Sequence, residues 1–121
     1  MIHGLRTAKY PVTDLNQAKA WFTQVFGCPP YFDEPFYVGF SIGGFELGLV
    51  PDGEPGLQGC AVYWGVDNID EEVCRIVALG ATIHDPIQEV GGGIRVVELK
   101  DPFGNLLGLI ENPQFDVTAV R

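Results

Sequence analysis

The feature that most restricts how this chain can fold is a motif it uses twice. From Val96 to Glu111 the sequence VVELKDPFGNLLGLIE alternates apolar residues on both sides of Asp101-Pro102-Phe103-Gly104, the pattern of two strands joined by a tight turn. Pro102 fixes the entry to that turn, and Gly104 accepts the positive φ that would strain other residues. A weaker copy runs from Phe36 to Pro51, FYVGFSIGGFELGLVP, with Gly43-Gly44 as its turn. Leu47-Gly48-Leu49-Val50 then matches Leu107-Gly108-Leu109-Ile110 at an offset of 60 residues.

The repeat extends upstream, where Val12-Thr13-Asp14-Leu15 aligns with Val66-Asp67-Asn68-Ile69 at an offset of 54. In the first copy Leu5 to Val12 reads as a strand whose end is marked by Pro11. Thr13 or Asp14 caps a helix to about Phe26, and Gly27 closes it. Ala18, Phe22, Val25 and Phe26, flanked by Leu15 and Trp21, give that helix one apolar stripe. Pro29-Pro30 forbids its continuation, and Tyr31 and Phe32 form a short strand before the hairpin. In the second copy Gly59 to Val66 is the strand, and Asn68 caps a helix. That helix's first turn carries Asp70, Glu71 and Glu72, the charges a helix dipole favours. Ile69, Val73, Ile76, Val77 and Leu79 make its buried stripe, and Gly80 ends it. Ala81 to Val90 gives a short strand interrupted at Pro86, and Gly91-Gly92-Gly93 leads into the hairpin. The predicted order is strand, helix, three strands, twice over: an α+β chain built from two βαβββ modules. They occupy residues 4–52 and 58–113 of a single domain spanning 1–121, with a linker at 53–57 and a tail at 114–121.

Length and charge exclude several function classes. The 121 residues suit one domain, and no run of about 18 apolar residues is available to span a membrane. The opening MIHGLRTAKY lacks the apolar core and cleavage site of a secretory signal, so a cytoplasmic setting is expected. Cys28, Cys60 and Cys74 are odd in number and not spaced as CxxC, which suggests neither a disulfide framework nor a zinc site. A formal charge of −9 repels nucleic acid and anionic lipid alike.

Taken together, VTDLNQAKAWFTQVFG, VDNIDEEVCRIVALGA and DPFGNLLGLIENP make the chain resemble the vicinal oxygen chelate superfamily over about residues 4–113. That superfamily includes glyoxalase I, bleomycin- and fosfomycin-resistance proteins, extradiol dioxygenases and methylmalonyl-CoA epimerase. The resemblance implies two modules whose curved mixed sheets enclose a cleft, with helices on the convex side. It also implies a small-molecule ligand and, as in many relatives, a homodimer. Strand alternation assigns the faces. A two-residue turn at Gly43-Gly44 pairs Ile42 with Phe45, Phe40 with Leu47 and Val38 with Leu49 on the helix side. A turn one residue longer would send Phe36, Val38 and Phe40 to the cleft instead.

The resemblance also locates a metal site, because enzymes of this superfamily hold a divalent ion through His, Gln or Glu on four strands. Those positions fall on Thr7, Gly48, Ala61 and Gly108. Glycine and alanine have no side-chain donor, and a lone threonine hydroxyl is a poor ligand. His3 and His84 lie off these positions. No metal and no other cofactor is therefore expected; a displaced site using Glu46 and Glu98 is the remaining alternative.

Candidate ligand-binding residues on the cleft face are Lys9, Tyr37, Ser41, Glu46, Tyr63, Glu98 and Lys100. Tyrosines offer aromatic walls with a polar tip, and a glutamate on a strand face demands a partner if buried. Glu98 stands three before Asp101, where fosfomycin-resistance relatives carry a substrate-contacting tyrosine. Three uses of it compete: an ion-pair partner of Lys9 or Lys100, a binding group for a cationic or hydroxylated ligand, and a general base. The functions that follow are a metal-independent binding protein sequestering an aromatic or amphipathic molecule of neutral or cationic type; a lyase or isomerase using Glu46 or Glu98 for proton transfer, with glyoxalase I activity itself disfavoured; and an interaction module whose cleft is packed shut.

Overall fold

The computed structural model describes residues 6–57, 62–116 and 118. His3, Leu5, Cys60 and Ala61 lie outside the described residues. The chain forms two compact units divided between Gly56 and Leu57.

The first unit runs β1 (Thr7–Pro11), α1 (Leu15–Phe26), β2 (Phe32–Glu34), β3 (Tyr37–Ile42) and β4 (Phe45–Val50). Its sheet has the order β1-β4-β3-β2, with β1 parallel to β4 and the other pairs antiparallel. Helix α1 starts where Asp14 accepts the Gln17 N–H at 3.0 Å, satisfying a donor that the helix itself leaves open. It stops at Gly27, whose φ of 71° belongs to the left-handed region and whose N–H reaches the Thr23 carbonyl. Gly43 and Gly44 both take positive φ, 59° and 88°, the two-residue turn that matches strand twist. The resulting register joins Ile42 to Phe45, Phe40 to Leu47 and Val38 to Leu49, so the shorter of the two expected turns is the one formed.

That register decides what the sheet buries. Tyr10, Val38, Phe40, Leu47 and Leu49 are buried along with Ala18, Trp21, Phe22 and Val25 of α1. Phe26 meets Phe40 at 5.6 Å and Phe22 meets Tyr10 at 6.0 Å between ring centroids. Each such side chain contributes about 1.5–3 kcal/mol relative to exposure.

The second unit repeats the plan as β5 (Tyr63–Gly65), α2 (Ile69–Ala78), β6 (Thr82–Glu89), β7 (Arg95–Lys100) and β8 (Leu106–Glu111). Its order is β5-β8-β7-β6, with β5 parallel to β8. Asn68 accepts the Glu71 N–H at 3.1 Å, and Glu111 accepts the Ile69 N–H at 3.1 Å. Arg95 bridges Glu111 and Asp70 at 3.2 and 2.8 Å, tying the start of the helix to β7 and β8. Val97, Leu99, Leu107 and Leu109 are buried, as are Ile69, Val73 and Ile76.

Two local expectations are corrected, and a third lies partly outside the described residues. Pro86 does not interrupt its strand: β6 continues through it, with register shifts between Ile83 and Asp85 and between Asp85 and Gln88. As the edge strand, β6 loses no ladder bond to a residue without an N–H. The stripe on α2 is narrower than expected, because the helix ends at Ala78, Leu79 serves as its cap and Val77 is exposed. The strand expected over 59–66 is described only as Tyr63–Gly65, residues 58–61 being outside the described set. Among the described residues no helix is long and apolar enough to cross a membrane.

Candidate functional site

Because side chains alternate along a strand, the sheet face turned away from α1 in the first unit carries Thr7, Lys9, Tyr37, Ser41, Glu46 and Gly48. Register brings Thr7 and Ser41 to either side of Glu46 and sets Gly39 beside Gly48. Three hydroxyls converge on the Glu46 carboxylate. Thr7 Oγ1 and Tyr37 Oη donate to one oxygen at 2.9 and 2.8 Å, and Tyr31 Oη donates to the other. These bonds, with that of Tyr31 foremost, hold the Glu46 carboxyl below its usual range even though partial burial pulls the other way. Tyr37 is pushed up to about 12, first by burial and then by its bond to Glu46. The Tyr31 phenol is raised chiefly through the same carboxylate.

Tyr31 is the residue that reading the sequence for this site missed. Its N–H donates to the Gly39 carbonyl at 2.9 Å, which fastens it beside β3. A tyrosine one residue before a three-residue strand carries no periodic signal of its own. Ser41 adds no hydrogen bond to Glu46, and Lys9 is exposed and forms no ion pair among the described residues.

In the second unit Tyr63 and Glu98 flank Gly108 from opposite sides, both paired with it in register. Tyr63 Oη donates to Glu98 Oε2 at 2.5 Å, and that bond is the main cause raising the Tyr63 phenol, ahead of burial. The lysine partner considered for Glu98 is replaced by this phenol. Lys100 is exposed at the end of β7 and makes no ion pair among the described residues.

Both glycines at expected metal positions are covered by tyrosine rings. A Cβ added at Gly48 would stand 2.1 Å from Tyr37 Oη and 2.5 Å from its Cζ. One added at Gly108 would stand 2.6 Å from both the Tyr63 ring and the Val62 carbonyl oxygen. Thr7 is engaged with Glu46, and Ala61 lies outside the described residues. His84 is exposed on β6, and no group of three or more His, Cys, Asp or Glu is placed to hold an ion among the described residues. The side chains present do not fit a divalent metal at Thr7, Gly48 and Gly108. A recess of about 280 Å³ in the first unit, lined by Leu15, Asn16, Asp33, Glu34, Pro35 and Val38, contains none of the candidate residues.

The family model described as Glyoxalase/Bleomycin resistance protein/Dioxygenase superfamily matches residues 4–109. Comparison with curated proteins gives no match. Among solved structures, lactoylglutathione lyase from Agrobacterium tumefaciens is 21% identical with a TM-score of 0.78, covering 96% of this chain and 100% of that one. The genomically encoded fosfomycin resistance protein FosX from Listeria monocytogenes is 22% identical with a TM-score of 0.77, covering 98% of each chain. TioX from Micromonospora sp. ML1 is 26% identical with a TM-score of 0.72, covering 90% of this chain and 98% of that one. Two four-stranded mixed sheets with two helices are the architecture these neighbours share with it.

Proposed function

This chain belongs to the glyoxalase/bleomycin resistance protein/dioxygenase superfamily, and from that membership we propose that it is a metal-independent small-molecule-binding protein, sequestering an aromatic or amphipathic ligand of neutral or cationic type. The observation that carries the reading is the placement of Tyr37 across Gly48 and Tyr63 across Gly108. Where a ligating side chain would project, each sheet presents a phenol bonded to a glutamate. Such a surface suits an organic ligand better than a hydrated ion, since aromatic faces and a few fixed polar groups are what small-molecule sites use.

Thermal unfolding with EDTA and with added Mg²⁺, Zn²⁺, Mn²⁺ or Ni²⁺ tests the metal half of the proposal. A native-state ion at a hundred times its Kd adds about 2.7 kcal/mol, a rise in Tm on the order of 10 °C for a chain of this size. No such shift is expected, and one reversed by EDTA would refute the proposal. The edge strands β1, β2, β5 and β6 favour pairing with a second copy; a monomeric mass in sedimentation equilibrium at micromolar concentration would remove that part.

The close Tyr63–Glu98 bond at 2.5 Å favours a second reading, a lyase or isomerase in which this pair moves a proton. Glu46 suits that role poorly, because three donors keep it ionised and make it a weak base. Glu98→Gln separates the readings. Binding kept and turnover abolished would support catalysis, whereas unchanged binding without any turnover in either form supports sequestration.

A further inference from the structure

One corner of the first unit carries more than the binding proposal uses. Phe32 pairs with Gly39 and Glu34 with Tyr37 across β2 and β3, so both share the face of Glu46. Gly39 forms the floor. A Cβ there would lie 2.9 Å from Glu46 Oε2, 3.1 Å from the Tyr31 ring and 3.2 Å from the Tyr37 ring. Around that floor the Phe32 ring stands 6.5 Å from Tyr31, 6.1 Å from Phe36 and 5.9 Å from Tyr37, tilted by 56°, 68° and 70°. The rings therefore make a cornered wall, and two of them stay largely open, with Tyr31 64% and Phe36 66% exposed.

Along β2 and β3 the charges have one sign, and Lys9, a basic residue of the same face, stands two strands from Gly39 with Gly48 between them. Residues 31–42 contain Asp33 and Glu34 and neither Lys nor Arg, and Asp33 is turned to an ion pair with Lys19. The three hydroxyls on Glu46 occupy three of about four lone-pair sites on a carboxylate and leave its charge in place. Aromatic faces carry negative potential and attract cations, most strongly when those cations are poorly hydrated. We propose that the corner formed by Tyr31, Phe32, Phe36 and Tyr37 over Gly39, backed by Glu46, binds the substituted ammonium group of a small organic cation. An alkylated ammonium fits because its carbon shell packs on the rings while its charge faces Glu46 and Glu34. An inorganic cation would retain its water, and an anion would meet two carboxylates.

This deepens the binding proposal and rests on it, so the test separates the two. Choline and its uncharged isostere 3,3-dimethylbutan-1-ol are titrated into the full chain, following probe and protein by NMR. Choline is expected to bind about tenfold more tightly than the alcohol, with its N-methyl protons shifted upfield by the rings. Phe36→Leu, which keeps exposed apolar bulk but removes a π face, is expected to weaken choline about threefold to tenfold without lowering Tm. Tyr31→Phe, which keeps the ring, is expected to hold the preference within about twofold. Equal binding of the two probes, no saturable choline binding, or indifference of choline to Phe36→Leu overturns the assignment. Equal binding would leave sequestration standing with a neutral ligand; the EDTA and metal experiment judges the binding proposal without reference to these rings.

Discussion

Both units lay a tyrosine ring across the glycine of a Leu-Gly-Leu strand and bond its hydroxyl to a glutamate, yet they assemble this from different places. In the first, the tyrosine comes from β3 and the glutamate from β4, two residues before the glycine. In the second, the tyrosine comes from β5, the parallel neighbour, and the glutamate from β7. Register sets Glu98 where the first unit has Gly39 and Tyr63 where it has Lys9. The duplication therefore extends to backbone and helix-side core and not to the side chains on the other face. A shared fold fixes where a site can be, while the residues on the strands decide separately what fills it.

The sharpest way to break this comparison is to add a methyl group to each glycine. At Gly108 the new Cβ meets the Val62 carbonyl, which accepts the Gly108 N–H at 2.9 Å. Backbone cannot swing aside, so Gly108→Ala is expected to cost about 3 kcal/mol. At Gly48 the clash is with the far end of Tyr37, a side chain free to rotate once it gives up its bond to Glu46. Gly48→Ala is then expected to cost about 1 kcal/mol. Urea unfolding of both variants checks the ratio, and equal losses would show that the Tyr37 ring yields no more easily than the Val62 backbone.

The turns offer a smaller contrast. Gly43-Gly44 closes its hairpin through backbone freedom alone, whereas Asp101 closes the other with its side chain. One Asp101 oxygen accepts the Phe103 and Asn105 N–H groups at 2.9 Å each, and the other is buried without a hydrogen-bond partner among the described residues. Burial pushes the Asp101 carboxyl up despite these bonds. Asp101→Ala is expected to cost about 2 kcal/mol, against about 1 kcal/mol for Gly43→Ala, where φ is 59°. Asp101→Asn keeps the accepting oxygen and is expected to be at least as stable as the parent at pH 7. The sign follows from the raised value: the stability linked to Asp101 is full below its unfolded pKa and is lost as pH rises through the folded one. A destabilised Asp101→Asn would show that the charge itself holds the turn.

Much of the fold was legible because it is written in local chemistry. Asp14, Gly27, Asn68 and Gly43-Gly44 act where capping and turn rules place them, and the alternation in β3 and β4 predicts Val38, Phe40, Leu47 and Leu49 as core. Pro86 misled because the rule against proline in strands depends on whether the strand is an edge, which only the sheet order reveals. At the candidate site Tyr37, Glu46, Tyr63 and Glu98 were each legible by face. Their pairing was not, since it depends on rotamers and on Tyr31, which acts from outside any repeated pattern.

The mildest expected differences concern titration, and they follow from the order of causes at each tyrosine. Tyr37 is raised first by burial and only then by Glu46, whereas Tyr63 is raised first by its bond to Glu98. In ultraviolet titration, Glu98→Gln should return Tyr63 most of the way toward an ordinary phenol, while Glu46→Gln should leave Tyr37 clearly elevated. Raised phenols contribute stability that is full below their unfolded pKa near 10 and is lost as pH climbs through the folded values, about 12 for Tyr37. Glu46 runs the opposite way. Its lowered carboxyl contributes stability above the ordinary 4.5 that disappears as pH falls through the folded value, so Glu46→Gln should flatten the acid limb of the stability profile. If Glu46→Gln released Tyr37 as fully as Glu98→Gln releases Tyr63, the two phenols would be held by their carboxylates in the same way, and the contrast between the units would shrink to the strands that supply them.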